Sequence, residues 1–471
     1  MKKHFSKYII APGLILALGM SACTKDFLDK KPISEALPED VTAQPLLDAA
    51  YNNMYDEYYT NDYLVNGDVM SDNAYAGGDN VANFSIDKYT VNSTNGNVVR
   101  DWRYLYTDIK NCNLILNFVP TMQDPNITEE RREQILGEAS FLRAWHYFNL
   151  VRSWKEMPIP TEVPSNLGEM YLPKQSSDSV FKRILADLDF AATRVRSTSE
   201  LANGRDSIST GAVNALYAKV YATMPNPDWN KVVEYCTKVE DAGYILEPEF
   251  AKLFAMGTVN NPESIWETQY DGVVHQNWIA GMNTPFMWGD WKKFNIPSHT
   301  IVNAYLDEKD TVRYKASIVY VTPSWTDDYW GIPTPVIGKY TDSEGRNTTY
   351  RLRLADILLL KAEALVELNQ LADAPGGAAY YINMVRQRAH LGKTTATTKE
   401  DLKLAVEKER QLELAFEGHR MFDLIRTKRA VTVMNSVKDG DGNPLNYNVT
   451  EDELYFPMSQ TEIDNNPNIN N

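Results

Sequence analysis

Indole rings stand close to amides and carboxylates in residues 266–291. An aromatic ring can stack on a flat apolar face, while amides and carboxylates exchange hydrogen bonds around its edge. Sugars present such C–H faces with a rim of hydroxyl groups. This stretch is therefore a candidate ligand-contact region, and it contains Trp278, Asn283, Trp288, Asp290 and Trp291.

Two other stretches offer the same chemistry. Residues 325–330 hold two tryptophans, a tyrosine and two aspartates, and residues 72–80 combine aspartates, asparagines and a tyrosine with small residues that leave the backbone accessible. From the three stretches together we predict the following ligand contacts: Asp72, Asn73, Tyr75, Trp278, Asn283, Trp288, Trp291, Trp325 and Trp330.

Tryptophans can also form the core of an irregular lobe or meet a partner protein. Six of the ten tryptophans lie in residues 243–349, and we expect two or three of those six to face a ligand. Trp102 and Trp145 fall on helical patterns, which favours a place in the core for both.

The chain begins with the pattern of an exported protein. Three lysines precede an apolar run from Tyr8 to Met20, and small residues then lead into Cys23. Residues 1–22 are therefore predicted to be a signal peptide. The phrase Met20-Ser21-Ala22-Cys23 resembles a bacterial lipobox, in which the cysteine carries lipid after cleavage and tethers the protein to a membrane. The alternative is an ordinary signal peptide with an incidental cysteine.

Charge and cysteine content limit the function. The formal net charge is −16, and removal of the leader with its three lysines would make it −19. A strongly acidic surface is a poor match for nucleic acid or for anionic lipid headgroups. Cys112 and Cys236 lack metal-ligand spacing, so buried free thiols are expected, with a disulfide as the alternative.

An acidic ladder marks the C-terminal part of the chain. Glu409, Glu413 and Glu417 are spaced i, i+4, and unpaired like charges at that spacing destabilise a helix. Arginines from neighbouring helices should therefore pair with them, since the guanidinium fork matches a carboxylate. The candidates are Arg143, Arg353, Arg386 and Arg388. We interpret the ladder as scaffold, not catalysis, and His419 as a structural histidine.

Catalytic and metal motifs are missing from the sequence. There is no His-Glu-x-x-His, no Gly-x-Ser-x-Gly and no phosphate-binding glycine loop. Residues 439–443 begin like a calcium loop, but Pro444 stands where glycine is needed, so a turn is predicted. The chain is therefore predicted to be no enzyme and to hold no cofactor beyond the lipid on Cys23; calcium elsewhere is left open.

Apolar residues recur at spacings of three and four, which predicts a mainly α protein built from paired helices. Residues 207–242 have about the length of a tetratricopeptide repeat, and such helix pairs must stack to bury their apolar faces. The expected divisions are a signal peptide (1–22), a lipidated tether (23–43), a helical scaffold (44–242, with an insertion at 60–100), an irregular tryptophan-rich binding lobe (243–349) and C-terminal helical repeats (350–471).

Several phrases, in the same order along the chain, resemble the SusD/RagB family, named after starch-utilisation-system protein D. They are the lipobox with Phe27-Leu28-Asp29 and Pro32, then Trp102–Leu116, Glu138–Phe148, Arg353–Ala364, Ile382–Ala389, Glu409–Arg420, Tyr455–Pro457 and Glu462–Pro467.

The resemblance implies a tetratricopeptide-like scaffold that carries a loop-rich ligand-binding lobe. It also implies a lipid-anchored protein on the outer membrane of Bacteroidetes that faces the cell exterior. Such proteins capture oligosaccharide or polysaccharide and pass it to a SusC-like TonB-dependent transporter. Three alternatives are weighed: a peptide ligand on the same scaffold, a surface glycosidase that uses a pair of carboxylates, and a pure interaction scaffold.

Overall fold

A computed structural model describes residues 41–283, 286, 293–324 and 329–469, apart from the side chain of Leu167. The predicted signal peptide, Cys23 and most of the tether lie outside these residues. In the described part of the chain, no helix is long and apolar enough to cross a bilayer.

Long helices dominate the first half, as the spacing of its apolar residues predicts. Side chains cap several helix starts; Thr128, for example, accepts a hydrogen bond from the backbone N–H of Arg131 and begins α4. The helices are α1 (Ala43–Asn52), α2 (Val81–Asp87), α3 (Gly96–Phe118), α4 (Glu129–Trp154), α5 (Ser177–Ala192), α6 (Thr210–Thr223) and α7 (Trp229–Asp241).

Sequential helices pack as antiparallel neighbours. Helix α3 contacts α4, α4 contacts α5, and α6 contacts α7. Two π-helical turns, Tyr58–Asp62 and Val65–Val69, carry the chain out of α1 into the 60–100 insertion. The paired-helix scaffold predicted from periodicity is confirmed.

The middle of the chain consists of short elements. Its strands form two-stranded antiparallel ladders, and each ladder is short, which suits a segment rich in Pro, Gly and Asn. Strand β1 (Ala74–Tyr75) comes earlier, in the 60–100 insertion. The elements of the middle, in chain order, are β2 (Ser264–Thr268), α8 (Ile279–Met282), β3 (Ile296–Pro297), α9 (His299–Asp307), α10 (Thr311–Ser317), β4 (Ile318–Val321) and β5 (Thr334–Ile337).

The C-terminal part returns to helices. Helix α11 contacts both α12 and α7, so it joins the last repeats to the first half of the chain. Strand β6 pairs with β2, and β1 pairs with β3. The elements are β6 (Thr349–Arg353), α11 (Leu354–Glu367), α12 (Ala378–Arg388), α13 (Lys399–Glu413), α14 (Arg420–Arg426), α15 (Ala430–Met434) and α16 (Gln460–Asn465).

One apolar core runs through the scaffold and into the middle segment. Trp266 on β2 packs edge-on against Trp145 of α4, with ring centroids 5.1 Å apart. Both rings are buried, as is Trp102. The core places predicted for Trp102 and Trp145 are confirmed. The middle segment contributes residues to this core and also holds two smaller apolar clusters.

The acidic ladder is buried and paired. Arg353 lies 2.6 Å from Glu413 and 2.7 Å from Glu417, Arg386 lies 3.2 Å from Glu409, and Arg388 also pairs with Glu413. Burial opposes ionisation of Glu413, but the charges of Arg388, Arg353 and Arg313 outweigh it and hold its pKa below the usual range. The interpretation of the ladder as scaffold is confirmed.

One predicted partner of the ladder is wrong. Arg143 instead pairs with Asp187 of α5 at 2.6 Å, because it lies on α4 beside that helix. Two cations that the sequence analysis did not name take part: Arg313 lies 2.7 Å from Glu409, and Lys339 lies 2.6 Å from Glu417.

The remaining singled-out residues are structural. In the described part of the chain, Cys112 and Cys236 are buried free thiols, and burial raises the pKa of each. Burial lowers the pKa of His419 to about 3, so its ring stays neutral. The prediction of buried free thiols is confirmed.

Candidate functional site

An aromatic surface surrounds the short ladder between β1 and β3. Tyr75 stands opposite Ile296 in this ladder. The Tyr75 ring stacks on the Tyr329 ring, with centroids 4.1 Å apart and planes 28° apart. Ile296 and Val336 are buried behind these rings. Tyr75 itself is buried, at 9% exposure, whereas Tyr329 keeps part of its surface open. The buried Tyr75 ring therefore supports a platform on which Tyr329 is the accessible ring of the stack.

Trp330 extends this platform. Its ring lies 3.7 Å from the His299 ring, and its indole N–H donates a 2.7 Å hydrogen bond to the carbonyl of Pro297. The imidazole Nε2 of His299 lies 2.9 Å from the carbonyl oxygen of Tyr329. Because both rings are held by backbone groups, their orientation is fixed before any ligand arrives, which lowers the entropy lost on binding.

A polar turn closes one edge of the platform. Gly440, in the turn formed by residues 439–443, lies so close to His299 that a β-carbon there would stand 2.6 Å from Nε2. Asp439 holds the turn by accepting the backbone N–H groups of Asp441 and Asn443 at 3.0 and 2.8 Å. The turn predicted in place of a calcium loop is confirmed, and it brings an exposed acidic and amide-bearing segment beside the rings.

The described residues on either side of 284–292 lie together. The carbonyl of Met282 accepts hydrogen bonds from the backbone N–H groups of Lys293 and Phe294, at 2.7 and 2.9 Å. Phe286 packs against the cluster of Tyr75, Ile296 and Val336. Phe286 therefore lies beside the aromatic platform. Of the predicted ligand contacts, Trp288, Trp291 and Trp325 lie outside the described residues.

Two predicted contacts are directed into the scaffold. Asp72 accepts two hydrogen bonds from one edge of the Arg420 guanidinium, from Nε at 2.7 Å and from Nη2 at 2.9 Å, and is only 4% exposed. Asn73 is fully buried and accepts a hydrogen bond from Gln411. In place of the ligand contact that the sequence predicted, the structure gives both residues a structural role, because a ligand could reach Asp72 only by breaking its ion pair.

The other two described ligand-contact candidates, Trp278 and Asn283, differ in exposure. Trp278 begins α8 and is 40% exposed, as a ligand-facing tryptophan would be. Asn283 follows the same helix but is fully buried, and among the described residues neither of its amide atoms has a hydrogen-bond partner. The structure brings Tyr75 and Trp330 together on one platform, joined through Tyr329.

The sequence analysis missed His299 and Gly440. Neither carries a local signal: His299 is the first residue of an ordinary amphipathic helix, and Gly440 belongs to a glycine-rich turn. Both matter because they are distant in sequence and meet at the platform.

Asp439 belongs to the turn beside His299. Hydrogen bonds from the Asn443 side chain and backbone keep the pKa of Asp439 below its usual range, so this carboxylate is a poor proton donor. A glycosidase needs one carboxyl group whose pKa is raised, so that it can protonate the leaving oxygen. Rings held in place beside polar edges instead suit the recognition of a flat ligand face.

Sequence comparison gives two matching family models. One described as "SusD family" matches residues 335–471, and one described as "Starch-binding associating with outer membrane" matches residues 26–222. Among curated relatives, the SusD-like protein P2 of Formosa agariphila is 26% identical over 100% of this chain and 99% of its own length.

Solved structures share the fold. A laminarin-binding SusD-like protein superposes with a TM-score of 0.74 at 23% identity, over 91% of this chain and 97% of its own. A SusD-like carbohydrate-binding protein from Bacteroides fragilis gives a TM-score of 0.77 at 21% identity, over 91% and 98% of the two chains.

Proposed function

Because this chain belongs to the SusD/RagB family, we propose that it is a cell-surface lipoprotein that binds oligosaccharide at the platform of Tyr75, Tyr329, Trp330 and His299. It would capture glycan at the outer membrane and deliver it to a SusC-like TonB-dependent transporter. Lipid on Cys23 would hold it there, facing the cell exterior.

One observation carries this proposal: the partly exposed Tyr329 ring, supported by the buried Tyr75 ring, lies beside a Trp330 ring whose indole N–H donates to the carbonyl of Pro297. Fixed aromatic faces lose little entropy when a sugar ring stacks on them. The adjacent turn 439–443 adds carboxylate and amide groups at the edge, where hydroxyls would lie. The binding titles of proteins with the same fold support glycan as the ligand class.

The test uses the chain without its first 23 residues, run in native gels that contain laminarin, starch or xylan. We expect at least one polysaccharide to retard it, and Tyr329→Ala to raise the dissociation constant at least about tenfold, or about 1.4 kcal/mol. No new reducing ends should form.

A matched control is Tyr380→Ala. Like Tyr329, Tyr380 is partly buried and contacts a second tyrosine ring, here edge-on at 5.3 Å, but it lies on the scaffold helix α12. The Tyr380→Ala variant should bind the polysaccharide with the same affinity as the unmodified protein. Equal affinity for the Tyr329→Ala variant would move the site elsewhere. If no glycan of a broad panel retards the protein and peptides bind to it, the ligand would be a peptide and not a glycan.

A further inference from the structure

A cavity of about 800 Å³ opens in the helical scaffold, away from the aromatic platform. Helices α4 and α5 and the α6–α7 connection line it from the first half of the chain, and α11, α13 and α14 line it from the second. Its volume lies within the range of ligand sites in proteins.

The charge of this cavity opposes that of the chain. Eight arginines and lysines line it against six carboxylates, which gives a formal charge of +2, whereas the whole chain carries −16. Several of these cations are already paired: Arg410 lies 2.8 Å from Asp423, and Arg429 lies 2.9 Å from Glu407. Arg420 and Arg410 also pair with carboxylates outside the lining, Asp72 at 2.7 Å and Asp356 at 2.6 Å. The cations left for a ligand are therefore those without such a partner.

Arg152 is a buried cation of the cavity lining. It is only 7% exposed, yet among the described residues no carboxylate lies within ion-pair distance of it. Its guanidinium donates to the carbonyl of Phe148 at 3.3 Å and to the amide oxygen of Asn149 at 2.6 Å. The rings of Phe148 and Phe422 flank it at 4.3 and 4.1 Å.

A buried cation that meets only neutral groups is costly, and an opposite charge would offset that cost. Beside Arg152 lies a small pocket of about 20 Å³, lined by Arg152, Lys219, Arg410 and Arg426 with Asp423 as the single carboxylate. A space of this size accommodates a water molecule or the end of a carboxylate.

The upper wall of the cavity is apolar. Phe181, Met224, Pro225, Pro227 and Trp229 line one side, and Leu404, which is 52% exposed, lies on the other. This wall offers irregular aliphatic and ring surface between charged groups. It differs from the stacked platform that a sugar would use, and it suits side chains of varied shape.

We propose that this cavity binds an acidic peptide segment, with a glutamate or aspartate carboxylate on Arg152 and neighbouring apolar side chains between Trp229 and Leu404. A guanidinium can hold a carboxylate by two parallel hydrogen bonds. Stacked helix pairs commonly form concave surfaces that bind extended chains. This site is independent of the glycan platform.

The experiment uses an array of fluorescein-labelled hexapeptides built from leucine, phenylalanine, glutamate and aspartate, with a second array in which amides replace the carboxylates. Fluorescence anisotropy should detect binding to the acidic array, weakened roughly 10- to 100-fold in the amide array. Arg152→Gln and Leu404→Glu should each weaken binding by at least tenfold, while glycan binding stays unchanged.

Arg103→Gln is the matched control, since Arg103 is exposed and lies over the Tyr104 ring outside this cavity. It should bind the acidic peptides as the unmodified protein does. Should Arg152→Gln fail to fold, Leu404→Glu on the rim decides the question. Absence of binding to any acidic peptide, equal affinity for both arrays, or binding of oligogalacturonate alone would overturn the proposal.

Discussion

Arg353 joins carboxylates from distant parts of the chain. Its guanidinium contacts Glu263 before β2, Glu413 at the end of α13 and Glu417 beyond it, at 2.6 to 2.8 Å. All four side chains are almost fully buried. Without the guanidinium, three buried carboxylates would lose a shared partner. The free-energy cost of their desolvation would then lower the stability of the folded state.

Replacing Arg353 by alanine should therefore lower the free energy of unfolding by about 3–5 kcal/mol, measured by urea denaturation. The control is Lys252→Ala, which removes an exposed i, i+3 ion pair with Glu249. That change should leave the urea midpoint where it was. Equal midpoints for the two variants would show that the buried network contributes nothing to stability.

Part of this network could be predicted from the sequence. Three glutamates on one helical face require cations, and Arg353, Arg386 and Arg388 do provide them. Which arginine reaches which carboxylate depends on helix packing, so Arg143 was assigned wrongly. The burial of Asp72 was equally hidden, since its partner Arg420 lies 348 positions away.

The π-helical turn Val65–Val69 packs against the loop before α14. A β-carbon at Gly67 would overlap the backbone of Gly418, which itself has a φ of +76°. Next to it, Asp68 accepts the backbone N–H of Gly418 at 3.0 Å. Burial raises the pKa of this carboxyl to about 7. The insertion is therefore fixed to the C-terminal helices by backbone contact.

Gly67→Ala should destabilise the protein by about 1–3 kcal/mol, because the added methyl meets backbone that cannot rotate away. Gly96→Ala, at the start of α3, is the matched control: a β-carbon there meets nothing within 4 Å among the described residues. Alanine favours helix over glycine by up to about 1 kcal/mol, so the control should melt no lower than the parent. Matching melting temperatures would contradict the close packing of the turn.

Elements that depend on neighbouring residues could be predicted from the sequence, whereas contacts between residues far apart in the sequence could not. The helices follow from apolar spacing and from capping residues such as Thr128 and Ser209. The ladder that supports the platform pairs Ala74 with Pro297, and no pattern near either residue indicates the other. For that reason Tyr75 and Trp330 were candidates in the sequence, while His299 and Gly440 emerged only from the fold.

The whole molecule presents two surfaces of different chemistry. The aromatic platform belongs to the 60–100 insertion, the middle segment and the turn 439–443. The cationic cavity belongs to the paired helices. Because they draw on separate elements, a ligand on one need not displace a ligand on the other.

Attachment to a membrane is expected to depend on Cys23 alone. Cys23→Ser should shift the protein from the detergent phase to the aqueous phase in Triton X-114 partitioning, because several acyl chains would be lost at about 0.8 kcal/mol per buried CH₂. Glycan affinity should not change. Continued partitioning of the variant into detergent would show that another segment anchors the chain.

The last residues of the chain close contacts with much earlier ones. The backbone N–H of Phe456 donates to the carbonyl of Ser153, and that of Gln460 donates to the carbonyl of Ser93, both at 2.8 Å. Both contacts therefore form only after the chain has been synthesised through Gln460. A product that stopped before Phe456 would lack both clasps, leaving the carbonyls of Ser153 and Ser93 without these donors.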